Sequence, residues 1–196
     1  MIVLFRNINM QWRVSIAMLT LFVFPFIPAQ GANEKIYEEI EWIQLMPEDD
    51  LEALLNPPDF LADIQDGSEL DSVDALSNMT ADNEMALRFE QALTSTRVID
   101  SFNQKSVRIP GFMVPLTSDE QQRVTEFFIV PYFGACLHMP PPPPNQIIFG
   151  KVKQGFELTK LDMPFWFEGK INIETISNTT GTAAYGMILD NIQEYE

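Results

Sequence analysis

The chain has 196 residues, a formal net charge of -16 at pH 7 and 46% hydrophobic residues. This length suits one domain with a sizeable core. So negative a charge argues against nucleic acid and anionic membrane surfaces as partners, and it favours solubility, cations or a basic partner. Because there is a single cysteine, the chain cannot form an internal disulfide.

The amino-terminal segment, residues 1–31, predicts a secretory signal peptide. Two arginines and no acid accompany the apolar run Val14–Phe26, and Ala29-Gln30-Gly31 has small residues at both positions that a signal peptidase reads. Cleavage is therefore expected before Ala32. The apolar run is shorter than the about 20 residues that a membrane span needs. We expect a soluble periplasmic protein without a membrane anchor after cleavage.

Residues 32–97 predict an acidic amino-terminal arm that is partly helical. Glu34–Glu90 contains seventeen acids and only two bases. A short helix is expected after Pro47, with acids in its first turn, and Asn56-Pro57-Pro58 ends it. A second helix is expected over Leu76–Leu93, where apolar residues approximate one helical face.

Residues 98–196 predict a β-barrel domain. Turn-rich loops separate five β-rich segments: Ser106–Val114, Val124–Val130, Gln146–Val152, Pro164–Ile173 and Ala183–Ile192. The Pro110-Gly111 step suggests a bulge or a bend in the first. Five strands suit an oligonucleotide/oligosaccharide-binding (OB) barrel, whereas a sandwich normally has about seven. The expected fold is mainly β, a small five-stranded OB-like antiparallel barrel on which the helical arm packs through Trp42 and Leu45.

Distinctive motifs cover most of the chain after the signal: IEWIQLMPEDD at Ile40–Asp50, PGFMVPL at Pro110–Leu116, TEFFIVPYFGACLHMPPPPPNQII at Thr125–Ile148, PFWFEG at Pro164–Gly169 and AAYGM at Ala183–Met187. With these motifs the sequence resembles the exported bacterial family called domain of unknown function 3299. The resemblance implies a periplasmic protein with an OB-like barrel. It also implies an association with transport genes that serve zinc supply, and it brings no established catalytic activity.

The segment Gly134–Asn145, GACLHMPPPPPN, contains the only cysteine, Cys136, and the only histidine, His138. Two residues apart in an extended segment, both side chains lie on one side, and zinc accepts thiolate and imidazole. A structural zinc site needs four ligands, so a carboxylate such as Glu126, or a second chain in a homodimer, would complete it. Cu(I) is the alternative metal, with Met139 as a thioether ligand. The structural alternative is a buried cysteine and a histidine that hydrogen-bonds loop carbonyls.

The same loop offers a second candidate set, a stiff polyproline II rod with its two flanking residues: Met139, Pro140, Pro141, Pro142, Pro143, Pro144 and Asn145. The rod suits an aromatic-lined groove on a partner, or it packs as a lid on the protein's own rings. Among those rings, Trp166 is the candidate for stacking on an uncharged ligand. Its neighbouring phenylalanines are expected in the core.

We therefore expect a periplasmic, non-enzymatic accessory or binding protein of an envelope transport system that handles zinc. Its partner would be an inner-membrane transporter or another periplasmic protein. The alternative is a protein-binding adaptor that uses the proline-rich loop and holds no metal. An enzyme ranks third, because a thiol hydrolase would need its base, His138, to reach Cys136 from only two residues away.

Overall fold

The computed structural model describes residues 35–59, 68, 83–135 and 141–195, and the fold is given for these residues. They belong to one compact unit, Lys35–Glu196. The predicted signal peptide lies outside the described residues. So do four of the predicted site residues: Cys136, His138, Met139 and Pro140.

The described residues form a six-stranded sheet that closes into a barrel. Its strands are β1 (Glu38–Glu39), β2 (Ser106–Ser118), β3 (Val124–Val130), β4 (Ile148–Phe156), β5 (Pro164–Ser177) and β6 (Thr182–Glu194). The strand order is β1-β2-β3-β4-β6-β5, and β2 also pairs with β5, so the last five strands form a closed barrel of the OB type. The predicted mainly β, OB-like fold is confirmed.

One detail of that prediction is wrong, because the barrel is mixed rather than purely antiparallel. Strands β4 and β6 run parallel, whereas the other neighbouring pairs in the barrel are antiparallel. The reason is topological: directions cannot alternate all the way round a ring with an odd number of strands. The short strand β1 lies outside the ring and pairs with β2 in parallel.

Strand β2 changes partner midway. It pairs with β5 from Ser106 to Phe112 and with β3 from Phe112 onward. Of the bulge or bend predicted at Pro110-Gly111, the bulge is wrong, because pairing with β5 continues through Pro110 without a register shift. The register shifts fall between Pro115 and Ser118. Pro110 is tolerated in the strand because the position of its missing amide faces away from β5. Its carbonyl points to that same side, where it accepts the indole N–H of Trp42 at 2.7 Å.

Two α-helices precede the barrel in the described part of the chain, α1 (Glu48–Leu55) and α2 (Glu84–Leu93). Three acids occupy the first turn of α1 and favour its positive end. Asn83 caps α2 by accepting from the amides two and three residues on. Neither helix is long and apolar enough to cross a membrane, nor is any other in the described residues.

The core fills the inside of the barrel, to which alternate residues of each strand point. Its fully buried members include Val107, Ile109, Phe127, Ile129, Ile148, Phe167, Ile171 and Tyr185. Ile40 and Leu45, from the predicted arm, belong to the same cluster. The Tyr185 hydroxyl donates to the Leu45 carbonyl at 2.8 Å and accepts the Ile99 amide at 2.7 Å. Residues on both sides of the predicted boundary at 98 thus share one core.

Candidate binding face and proline-rich loop

The proline-rich loop connects β3 to β4, and both of its described ends are buried against the barrel. On the way out, Ala135 is fully buried. On the way back, Pro141 is exposed, Pro142 and Pro143 are buried, and Asn145 is fully buried. The loop therefore has two buried ends, which we call its stems: the outgoing stem at Ala135 and the returning stem at Pro142–Asn145.

The returning stem is held by hydrogen bonds to the chain that precedes the barrel. The Asn145 amide donates to the Ser95 carbonyl at 3.3 Å, and its side-chain Nδ2 donates to the Arg97 carbonyl at 3.1 Å. The side chain of Gln146 donates to the Trp42 carbonyl at 2.9 Å. A 3₁₀ turn, Pro144–Gln146, carries these groups.

Asp50 of α1 is the buried centre of this anchoring. Its Oδ1 accepts from Arg88 at 2.6 Å and from Arg97 at 3.1 Å. Its Oδ2 accepts from the Ser95 hydroxyl at 2.6 Å and from Asn145 Nδ2 at 3.4 Å. A fully buried carboxylate is tolerated when it is paired and hydrogen-bonded in this way.

An apolar cluster covers the outside of the barrel next to the loop stems. We call it the outer apolar face: Phe112, Val114, Leu116, Phe128, Val130, Ala135, Ile147, Phe149 and Ala183. The rings of Phe128 and Phe149 meet edge to face with centroids 6.3 Å apart. From the loop, the ring of Phe133 lies 6.1 Å from that of Phe112.

In OB barrels this region, the face of the second and third barrel strands, is the one that binds oligonucleotides or oligosaccharides. Here its centre is closed, since Phe128 and Val130 are fully buried. Beside it on β4, Lys151 pairs with Glu126 at 2.6 Å. A face whose centre is apolar and buried offers little to a phosphate backbone.

Glu126, the predicted carboxylate ligand, is engaged elsewhere. Besides Lys151, its carboxylate accepts from the Thr117 hydroxyl at 3.2 Å. The hydrogen bond from Lys151 lowers the pKa of Glu126 below its usual value. With a rise of about 3.3 Å per residue, Glu126 lies roughly 17 Å along β3 from the start of the loop.

Nothing in the described residues completes a metal site. Within 35–59, 83–135 and 141–195, no three His, Cys, Asp or Glu side chains are grouped so that they could hold a metal ion. Glu126 is committed to Lys151, and Cys136 and His138 lie outside the described part of the chain. Zinc or Cu(I) binding by the loop therefore stays a prediction.

Trp166 lies half-buried on the outside of β5. The Arg108 guanidinium lies 3.9 Å from its ring centroid, and the Tyr195 ring lies 5.0 Å away, centroid to centroid. Neighbouring rings at Phe165 and Phe167 are buried in the core. The indole is thus already stacked by the protein's own side chains.

The family model of DUF3299, a protein family of unknown function, matches residues 42–194. The chain belongs to the DUF3299 family. The resemblance stated from the sequence is therefore confirmed. The crystal structure of a DUF3299 family protein from Pseudomonas aeruginosa PAO1 is 30% identical, with a TM-score of 0.58, over 83% of this chain and 98% of that one. A comparison with curated proteins gives no match.

The DUF3299 match begins at Trp42, so it includes residues whose role sequence reasoning missed. For the motif Ile40–Asp50 the sequence predicts packing through Trp42 and Leu45 and a helix with acids in its first turn, but it does not predict that Asp50 is buried. Ser95 and Arg97 drew no attention at all. The available signal was weak: an acid directly after Glu48 and Asp49 looks like one more charge of a helix amino terminus.

Proposed function

We propose that this DUF3299 protein is a non-enzymatic binding protein of the periplasm, which presents its proline-rich loop to a partner protein of an envelope transport process. The observation that supports this most is the burial of both stems, with Asn145 held by Ser95, Arg97 and Asp50. A loop whose ends are fixed loses less conformational entropy when it binds.

The surface beside the stems suits recognition by a protein. Tyr132 and Phe133 are 44% and 53% exposed, and Pro141 is exposed. Prolines and aromatic rings together are the typical ligand of an aromatic-lined groove. Because the chain carries a net charge of -16, the partner's groove is expected to have basic residues around it.

Zinc or Cu(I) binding by Cys136 and His138 is the second candidate function. The buried stems at Ala135 and Pro142 favour it, because only six residues lie between them and Cys136 and His138 are two of these. Because Glu126 is paired with Lys151, the remaining ligands would come from a second copy of the chain in a homodimer.

Site-specific photo-crosslinking in the native periplasm tests the adaptor function. A photoreactive phenylalanine analogue replaces Pro141 in one variant and Lys160, an exposed residue of the β4–β5 connection, in a matched control. We expect one dominant adduct with an envelope protein from position 141 and none from position 160. The adduct should weaken when Phe133→Ala is added. Equal adducts at both positions, or none at position 141, contradict the proposal.

The periplasmic location has its own test. The exported protein should have the mass of a chain that begins at Ala32, and it should appear in the soluble periplasmic fraction. A product that keeps residues 1–31 and stays with the membrane contradicts it.

A further inference from the structure

The polar network around Asp50 joins two parts of the molecule that are far apart in sequence. Its carboxylate receives hydrogen bonds from α2 through Arg88, from the following segment through Ser95 and Arg97, and from the returning stem through Asn145. Asp49 and the same two arginines form further ion pairs at 2.6–2.9 Å. The helical pair α1–α2 and the stem therefore share one buried carboxylate.

The orientation of the Asn145 amide is dictated by its surroundings. Its Nδ2 faces two acceptors, Asp50 Oδ2 at 3.4 Å and the Arg97 carbonyl at 3.1 Å, so the amide oxygen cannot take that place. The oxygen, Oδ1, is buried and has no hydrogen-bond partner within the part of the protein that the structure describes. Leaving such a group unpaired is unfavourable. The Asn145 side chain thus bonds to Asp50 and Arg97 although this orientation leaves its own oxygen unpaired.

We infer that Asp50 is a positioning residue for the proline-rich loop. Acting through Asn145, it fixes the returning stem on α1–α2, so that the two helices determine where the chain re-enters the barrel. The expected effect on partner binding rests on the proposed function. The inference that Asp50 orders the returning stem is independent of that function.

Three variants separate this role from general stability. Asn145→Asp puts a second carboxylate about where Nδ2 now lies 3.4 Å from Asp50, so it should repel the stem. Asn145→Ala removes the amide without adding charge and should loosen the stem less. The double variant Asp50→Asn with Asn145→Asp again pairs an amide with a carboxylate, and it should recover part of the order lost in Asn145→Asp.

Amide hydrogen exchange of the purified protein is the first readout. The amides of residues 145 and 147 hydrogen-bond to Ser95 and Pro144, and they report on the stem. We expect about tenfold faster exchange at both in Asn145→Asp, a smaller increase in Asn145→Ala, and recovery towards wild type in the double variant. Barrel amides, such as those pairing β5 with β6, should exchange as in wild type.

Crosslinking from position 141 is the second readout, with about a tenfold lower adduct yield in Asn145→Asp and partial recovery in the double variant. If wild type gives no adduct, the proposed function fails while the exchange data still decide the role of Asp50. If stem exchange is unchanged in both single variants, or the double variant exchanges as fast as Asn145→Asp, the inference is overturned. Should Asn145→Asp unfold the whole chain, Asn145→Ala decides: wild-type exchange at the stem refutes the inference, and faster exchange confined to the stem supports it.

Discussion

Replacing Tyr185 with phenylalanine tests how the chain before residue 98 is attached to the barrel. The change removes one oxygen atom and keeps the ring in the core. Two hydrogen bonds are lost, the one donated to the Leu45 carbonyl and the one accepted from the Ile99 amide. Burial raises the pKa of Tyr185, so its hydroxyl stays protonated at neutral pH and able to donate.

The two backbone groups that lose the Tyr185 hydroxyl, the Leu45 carbonyl and the Ile99 amide, differ in their access to water. Leu45 is 0% exposed, so its carbonyl is left without a partner, at a cost of about 1–3 kcal/mol. Ile99 is only partly buried and can bond to water instead, which limits its share to about 0.5–1 kcal/mol. We therefore expect a loss of about 2–3 kcal/mol in the free energy of unfolding. For a domain of this size that corresponds to a fall of roughly 5–10 °C in Tm.

Urea unfolding at pH 7, followed by tryptophan fluorescence and far-UV circular dichroism, measures this loss. The expected result is a lower midpoint at an unchanged m-value. Tyr195→Phe is the matched control, since Tyr195 is 45% exposed, and its effect should stay within about 0.5 kcal/mol. If Tyr185→Phe is no more destabilising than this control, the two hydrogen bonds do not hold the segment as argued.

Three further predictions concern the loop and the barrel. Calorimetric titration of the reduced protein with Zn²⁺ or Cu⁺ should show binding that weakens at lower pH and disappears in Cys136→Ser and in His138→Ala, and a wild type that binds neither metal excludes the site. The hydrogen bond from its arginine partner lowers the pKa of Asp49 from 3.8 to about 2 in the folded state, so its stabilisation is present above pH 4 and lost as pH falls towards 2. In acid denaturation, Asp49→Asn should therefore lose less stability than wild type over that range, and equal losses contradict the assignment. Gly169→Ala should destabilise by more than about 2 kcal/mol, because its Cβ would collide with a backbone carbonyl of β6, whereas Gly181→Ala, with its nearest atom at 3.6 Å, should be nearly neutral. Equal midpoints for the two alanine variants in urea refute that steric argument.

Local sequence patterns were sufficient to locate the five barrel strands. The run Val124–Val130 was predicted with the bounds that the structure has, because six of its seven residues are β-branched or aromatic, which is a strong local signal. The other four barrel strands were located correctly, but all four extend two to four residues further at their carboxyl ends. Strand β6, for example, reaches Glu194 because β5 pairs with it that far.

The same limit applies to the candidate site. Glu126 looked available as a ligand, and only the pairing of β3 with β4 shows that Lys151 lies directly opposite it. Trp166 looked able to stack a ligand, and only the neighbouring strands place Arg108 and Tyr195 against it. These partners come from other strands, so the residues that surround Glu126 and Trp166 in the sequence do not reveal them.

The sequence by itself determined the β-rich second half, the acidic first half, the family and the place of the proline-rich loop, because composition, periodicity and proline content act locally. Tertiary structure alone decided which charges are buried. Asp50 is one acid among seventeen between residues 34 and 90, yet it is fully buried, because closing the barrel brings Ser95, Arg97 and Asn145 around it. A carboxylate enters a protein interior only where several donors meet, and these donors lie 45 to 95 residues away along the chain.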